Sequence, residues 1–225
     1  MKRKKEYNMA GIFLFLLLSF AFPESSGAAL CAFRNPDRDV YAMFPQATGY
    51  RSVIKKLDRK ARKEIEKFLG QHLDYDEGGE HTFYLILKNE DVIGVIRPHA
   101  ERGKHGIVEM VWAFTLDGKI KDFEIQRSRE RGTALIKSEE FRRQFRGRTL
   151  KTAFTEKKSR KINTALFTLP KNAEKVSSLI AYSAKKNLFL YKLFFPEYNK
   201  QIVDASKSKG KKDSEKENIE KDKKK

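Results

Sequence analysis

The feature that most limits the fold lies between Thr82 and Gln126, where four short segments carry strand chemistry and turn residues separate them. Residues 82–88 are rich in β-branched and aromatic side chains, Asn89-Glu90-Asp91 makes a turn, and residues 92–97 continue as a second strand. Residues 107–116 form a third, and the Asp117-Gly118 pair that follows is the strongest hairpin signal in the chain. In the fourth, residues 120–126, Ile120, Asp122, Glu124 and Gln126 alternate with Lys121, Phe123 and Ile125. Strands joined by such short turns pair as neighbours. The expected centre of the molecule is an antiparallel meander with one face turned toward a core.

Helical patterns flank the meander. Ser52 offers an N-cap for a helix over residues 52–69, with Ile54, Leu57, Ala61, Ile65 and Phe68 at helical spacing and Gly70 as its stop. The basic residues on its other faces read as a solvated surface. Ahead of it, Asn35-Pro36-Asp37 and Phe44-Pro45 are turn chemistry. Ser138 caps a short helix over residues 139–145, and a last helix covers residues 172–195, with Pro196 beyond it. Residues 148–170 have no clear period, although residues 165–169 offer a candidate strand. The expected class is α+β: an antiparallel β-meander packed with a long amphipathic N-terminal helix and C-terminal helices.

The chain has 225 residues, and its 48 Lys and Arg against 30 Asp and Glu give a net charge of +18. Such a balance suggests nucleic acid until the charge is located. A basic head precedes an uncharged apolar stretch over residues 10–22, after which Pro23, Glu24 and a run of small residues follow. This is the layout of a secretory signal over residues 1–30, or of an N-terminal anchor, although the apolar stretch falls short of the ~20 residues of a full span. Cys31, the only cysteine, excludes an intramolecular disulfide framework and a cysteine-ligated metal ribbon. Leu30 stands before it, where a lipidation signal wants a small residue. Residues 205–225 hold nine Lys, five acidic residues and one large apolar residue, so they read as a disordered Lys-rich tail. Such a tail could meet anionic lipid or an envelope polymer. The expected organisation is a signal or anchor at 1–30, an N-terminal extension with its amphipathic helix at 31–81, a domain at 82–198, and the tail. An exported chain with no regular aromatic platform makes nucleic acid an unlikely partner.

No nucleophile elbow, P-loop or dinucleotide fingerprint occurs, so no catalytic residue is assigned. His99 and His105 fall in a Gly- and charge-rich segment, residues 98–106, which reads as an exposed hairpin loop. As metal ligands they would need two more donors, with Glu101 and Glu109 the near candidates. Arg97, Arg102, Arg127, Arg129, Arg131, Arg142, Arg143, Arg146 and Arg148 form a dense group suited to phosphate or carboxylate.

The order of segments carries a resemblance. Asp117-Gly118-Lys119-Ile120, then Phe123-Glu124-Ile125-Gln126-Arg127, then Arg129-Glu130-Arg131-Gly132, then the run from Ser138 to Gly147 resemble the FMN-binding domain family. That family includes the flavin-bearing subunits of sodium-pumping and Rnf-type electron-transport complexes and the extracytoplasmic part of the nitrous-oxide reductase regulator. The likeness spans roughly residues 82–191. Val176-Ser177-Ser178 and Leu188-Phe189-Leu190-Tyr191 match the start and end of the family's final helix. The family's flavin-accepting threonine falls at Lys175, and a lysine cannot form that phosphoester. The resemblance therefore implies an FMN-binding-domain-like fold with FMN held non-covalently, Arg127, Arg129, Gly132, Ser177 and Ser178 being the expected cofactor-binding residues. It implies a redox carrier at the periplasmic or outer face of a membrane, with membrane electron-transport components or envelope proteins as partners. A flavin-less binding or accessory module of the same fold and a polybasic envelope-surface protein are the alternatives.

Overall fold

The strand-forming segments pair in the order in which they occur. The computed structural model describes residues 36–74, 77–157 and 159–198; the expected signal or anchor, Cys31 and the Lys-rich tail lie outside them. Five antiparallel strands make one sheet in the order β1 (Gly49–Lys56), β2 (Glu80–Lys88), β3 (Asp91–Arg102), β4 (Ile107–Phe114) and β5 (Ile120–Arg127). The helices are α1 (Pro36–Met43), α2 (Arg59–Leu69), the short α3 (Thr133–Ile136) and α4 (Glu139–Arg143), and the long α5 (Glu174–Phe194). The class is α+β. No helix among the described residues is long and apolar enough to cross a membrane.

Strand alternation divides the sheet into two faces. On the inner face, Phe83, Leu85, Val95, Met110, Trp112, Phe114, Phe123 and Ile125 pack with α2 and α5 in the main core. Trp112 stacks on Phe123 at 4.8 Å, and Phe145 and Phe167 extend this aromatic cluster beyond α4. On the outer face, Val40, Met43 and Phe44 of α1 and its exit cover Ile86, Ile96, Val111 and Ala113. A Cβ at Gly94 would stand 2.3 Å from the Phe44 ring, so Phe44 can lie on the sheet only over a glycine.

Four local expectations are corrected. The first concerns residues 52–58. The helix expected from Ser52 begins only at Arg59, because residues 49–56 pair with β2 along their whole length, Gly49 with Leu87 and Lys56 with Glu80. Cross-strand pairing outweighs helical spacing here, leaving Ile54 64% exposed and Asp58, not Ser52, as the N-cap. Asp58 accepts the Ala61 N–H at 2.7 Å, and Gly70 closes the helix in the left-handed region.

The second concerns residues 98–102, which are strand rather than exposed loop. Pro98 is tolerated because the pairing of β3 with β2 ends at Tyr84 and Ile96, while its pairing with β4 continues to Arg102 and Ile107. The third concerns residues 165–169, which form no strand: residues 164–166 are a turn and 167–169 are irregular. The 148–170 region holds one isolated bridge, Thr155 with Ile162. Pro36 also starts a helix instead of a turn, a position where its missing N–H costs nothing.

Moving the cap from Ser52 to Asp58 has a measurable consequence. Asp58→Ala should destabilise the fold by about 1 kcal/mol, whereas Ser52→Ala should be close to neutral in the same urea titration.

Candidate functional site

Residues two apart on a strand share a face, so Arg97, His99 and Glu101 of β3 all point toward α5. There they meet Lys186, which is 2% exposed in the middle of that helix. Its ammonium group donates to Glu101 Oε1 at 2.6 Å and to Glu77 Oε1. His99 Nε2 also lies 2.8 Å from Glu101 Oε1. One turn on from Ser183, Asn187 accepts from Arg97 and donates to the Ser183 carbonyl at 2.8 Å. Trp112 Nε1 donates to Ser183 Oγ at 3.0 Å, and Arg97 donates to His81 Nδ1 at 2.8 Å. Two carboxylates thus face two cations, and the buried network is close to neutral.

Both imidazoles are held in the neutral form. Burial, then the Arg97 charge, pushes His81 down to about 2; burial, then Arg97 and Lys186, holds His99 well below its usual value. Because Arg97 can only donate, His81 carries its proton on Nε2, an atom with no partner among the described residues. For Lys186, burial works against the ammonium form, but the two carboxylates outweigh it and raise its pKa. Glu77, His99 and Glu101 present ligand atoms close enough together to hold a metal ion. Lys186 is the cation in that place. The pair expected with His99 does not join it: His105 is exposed in the turn, and Glu109 faces Arg127 at 3.6 Å.

Glu101 also lines a recess of about 180 Å³, with Tyr182, Glu130, Arg160, Lys175 and Ser178 among its walls. Arg160 lies over the Tyr182 ring at 4.4 Å. Arg160, Lys175 and Ser178 line in turn a groove of about 500 Å³ that continues along Lys161, Ile162, Thr164 and Leu169. The two spaces meet beside the first turns of α5. Ala173 provides no side-chain cap there, so the opening N–H groups of α5 lack intrahelical acceptors.

The residues expected to hold a cofactor separate around this point. Ser178 is half-buried and lines both spaces, accepting the Ile162 N–H at 3.2 Å while its own proton is available to donate. Ser177, one residue earlier, is fully buried, and its Oγ has no partner among the described residues. Gly132 adopts φ +82°, and a Cβ there would come within 2.7 Å of Ala173, so the loop after β5 rests on the start of α5. Arg127 and Arg129 are exposed and line neither space. Of the other arginines, Arg142 and Arg146 bind Asp122 at 2.5 and 2.7 Å, and Arg142 also binds Glu124. Arg160 escaped the sequence reading because it sits in the segment without a clear period. Lys186 escaped because one of four lysines in a helix with an apolar face reads as a side chain reaching for solvent.

No protein-family model matches this chain, and no curated protein matches it.

The buried network should be costly to break. Lys186→Met leaves two carboxylates uncompensated and should destabilise by about 3–5 kcal/mol. Adding Glu77→Gln and Glu101→Gln should recover most of that loss in urea unfolding. The neutral histidines set a pH dependence as well. Unfolded imidazoles take up protons below about pH 6.5, which the folded forms refuse. Their contribution is complete above that pH and declines as pH falls toward the folded values, by about 1.4 kcal/mol per pH unit for each imidazole. The urea midpoint should therefore drop between neutral and mildly acidic pH, with a smaller drop in His81→Asn.

Proposed function

We propose that this chain is an exported, FMN-binding-domain-like protein that holds FMN non-covalently in the groove at the start of α5. The observation that carries the reading is the contact of Gly132 with Ala173. It joins the two segments that bear the family resemblance, and the groove opens beside them. At about 500 Å³, the groove lies within the ~300–1,000 Å³ range of small-ligand pockets.

The donor set fits a phosphate. Arg160, Lys161 and Lys175 supply cations, Ser178 a hydroxyl, and the first turn of α5 unused N–H groups. Ile162 and Leu169 give apolar wall for a ring system. Lys175 stands exposed at the family's acceptor position and offers no hydroxyl for a covalent link. Bound FMN would supply redox chemistry, and these residues would bind and orient it. The expected role is a redox carrier beside membrane electron-transport components or envelope proteins, at the periplasmic or outer face. Its export rests on residues 1–30.

A second reading has an observation in its favour. Among the described residues, the groove is lined by two carboxylates, Glu156 and Glu174, and by no aromatic side chain that could stack on a flavin. These features suit a flavin-less accessory module of the same fold. Absorption spectroscopy of the purified exported protein separates the two. Added FMN should give protein-bound flavin bands that denaturation releases. Ser178→Ala and Arg160→Gln should each weaken FMN binding roughly tenfold, while Ser177→Ala should leave it unchanged. Colour that stays with the precipitated chain would overturn non-covalent binding, and no bound flavin at all would leave the accessory module.

A further inference from the structure

A separate cavity of about 650 Å³ lies between the end of α2, residues 152–157 and α5, and shares only Glu156 with the groove. Lys67, Lys157 and Lys185 all line it, and among the described residues Glu156 is its one acidic wall residue. Among the described residues none of the three lysines has a carboxylate within ion-pair distance. Lys185 instead stands over Phe68 at 4.9 Å, and the Phe68 ring packs on Phe189 at 4.9 Å. Its amine is thus backed by aromatic surface, and burial lowers its pKa.

An anion placed in this space can accept charge-assisted hydrogen bonds from lysines that have no carboxylate partner among the described residues. Thr152, whose Oγ accepts the Thr149 N–H, keeps a hydroxyl proton to donate into the same space. Inorganic phosphate or a phosphate monoester has three or more free oxygens for the ammonium donors and the hydroxyl. A phosphodiester headgroup offers two oxygens, each able to accept from more than one donor. Outside the cavity, Lys60 and Lys63 are exposed on α2 ahead of Lys67, so the approach is cationic too. We propose that this cavity is a phosphate-binding site, taking the phosphate of a soluble compound or of an anionic phospholipid headgroup.

The test is residue-by-residue acylation of lysines in the full chain, read by mass spectrometry. Inorganic phosphate, phosphatidylglycerol vesicles and phosphatidylcholine vesicles are compared with chloride at equal ionic strength. Phosphate should slow acylation of Lys67, Lys157 and Lys185 roughly fivefold or more, leaving Lys60 unchanged. Protection by phosphatidylglycerol vesicles but not by inorganic phosphate would assign the headgroup as the source. Protection by inorganic phosphate would assign a soluble phosphate. Lys157→Gln, an exposed substitution, should reduce protection at Lys185, whereas Ser178→Ala should leave it intact and so separate this site from the flavin groove. No protection beyond that of chloride, or full protection of Lys185 in Lys157→Gln, overturns the proposal.

Discussion

The ammonium group of Lys186 between Glu77 and Glu101 is the contact on which the arrangement of α5 depends. A charge this deep is tolerable only with partners, and those partners come from two places. Glu101 is the inward residue near the end of β3, and Glu77 belongs to the connection that enters β2. The lysine therefore fixes the rotation of α5 as well as its height above the sheet. Asn187 and Ser183 repeat the effect beside it, linking the helix to Arg97 and Trp112. Apolar packing alone would leave more freedom, since hydrophobic contact is not directional.

With its rotation set, α5 presents different chemistry along its length. Its first turns carry Ser178 and Lys175 to the groove, its middle carries Lys186 to the buried carboxylates, and Lys185 faces the second cavity. Neighbouring residues in the helix thus serve unlike environments. Glu101 connects two of them, because it binds Lys186 and also lines the recess beside the groove. Anything bound in the recess would meet a carboxylate already engaged by a buried cation. That makes the recess less hostile to an anion than a bare glutamate would.

Much of the architecture was legible. The alternation in residues 120–126, the Asp117-Gly118 turn and the Ser138 cap reflect local rules, and tertiary packing reinforces them. Residues 52–58 were not legible, because Ile54 and Leu57 fit a helical spacing, and Phe83, the strand partner of Val53, lies 30 residues away. The true cap, Asp58, was present in the sequence but competed with Ser52. Pro98 hid the inward run of Arg97, His99 and Glu101 by resembling loop chemistry. Alternation in that run was the available signal.

By itself, the sequence determined the meander, the α+β class, the last helix and the location of its charge, because each follows from neighbours within a few residues. Tertiary structure alone decided which charges are structural and which are free to bind. Arg142 and Arg146 are committed to Asp122, while Lys175 lines open space beside the Ser178 hydroxyl, and Arg160 lines the same space while its Nε donates to Gln71. The physical reason is that a side chain's chemistry depends on burial and on partners distant in sequence. Lys186 and Lys185, adjacent in the chain, have pKa values moved in opposite directions for that reason.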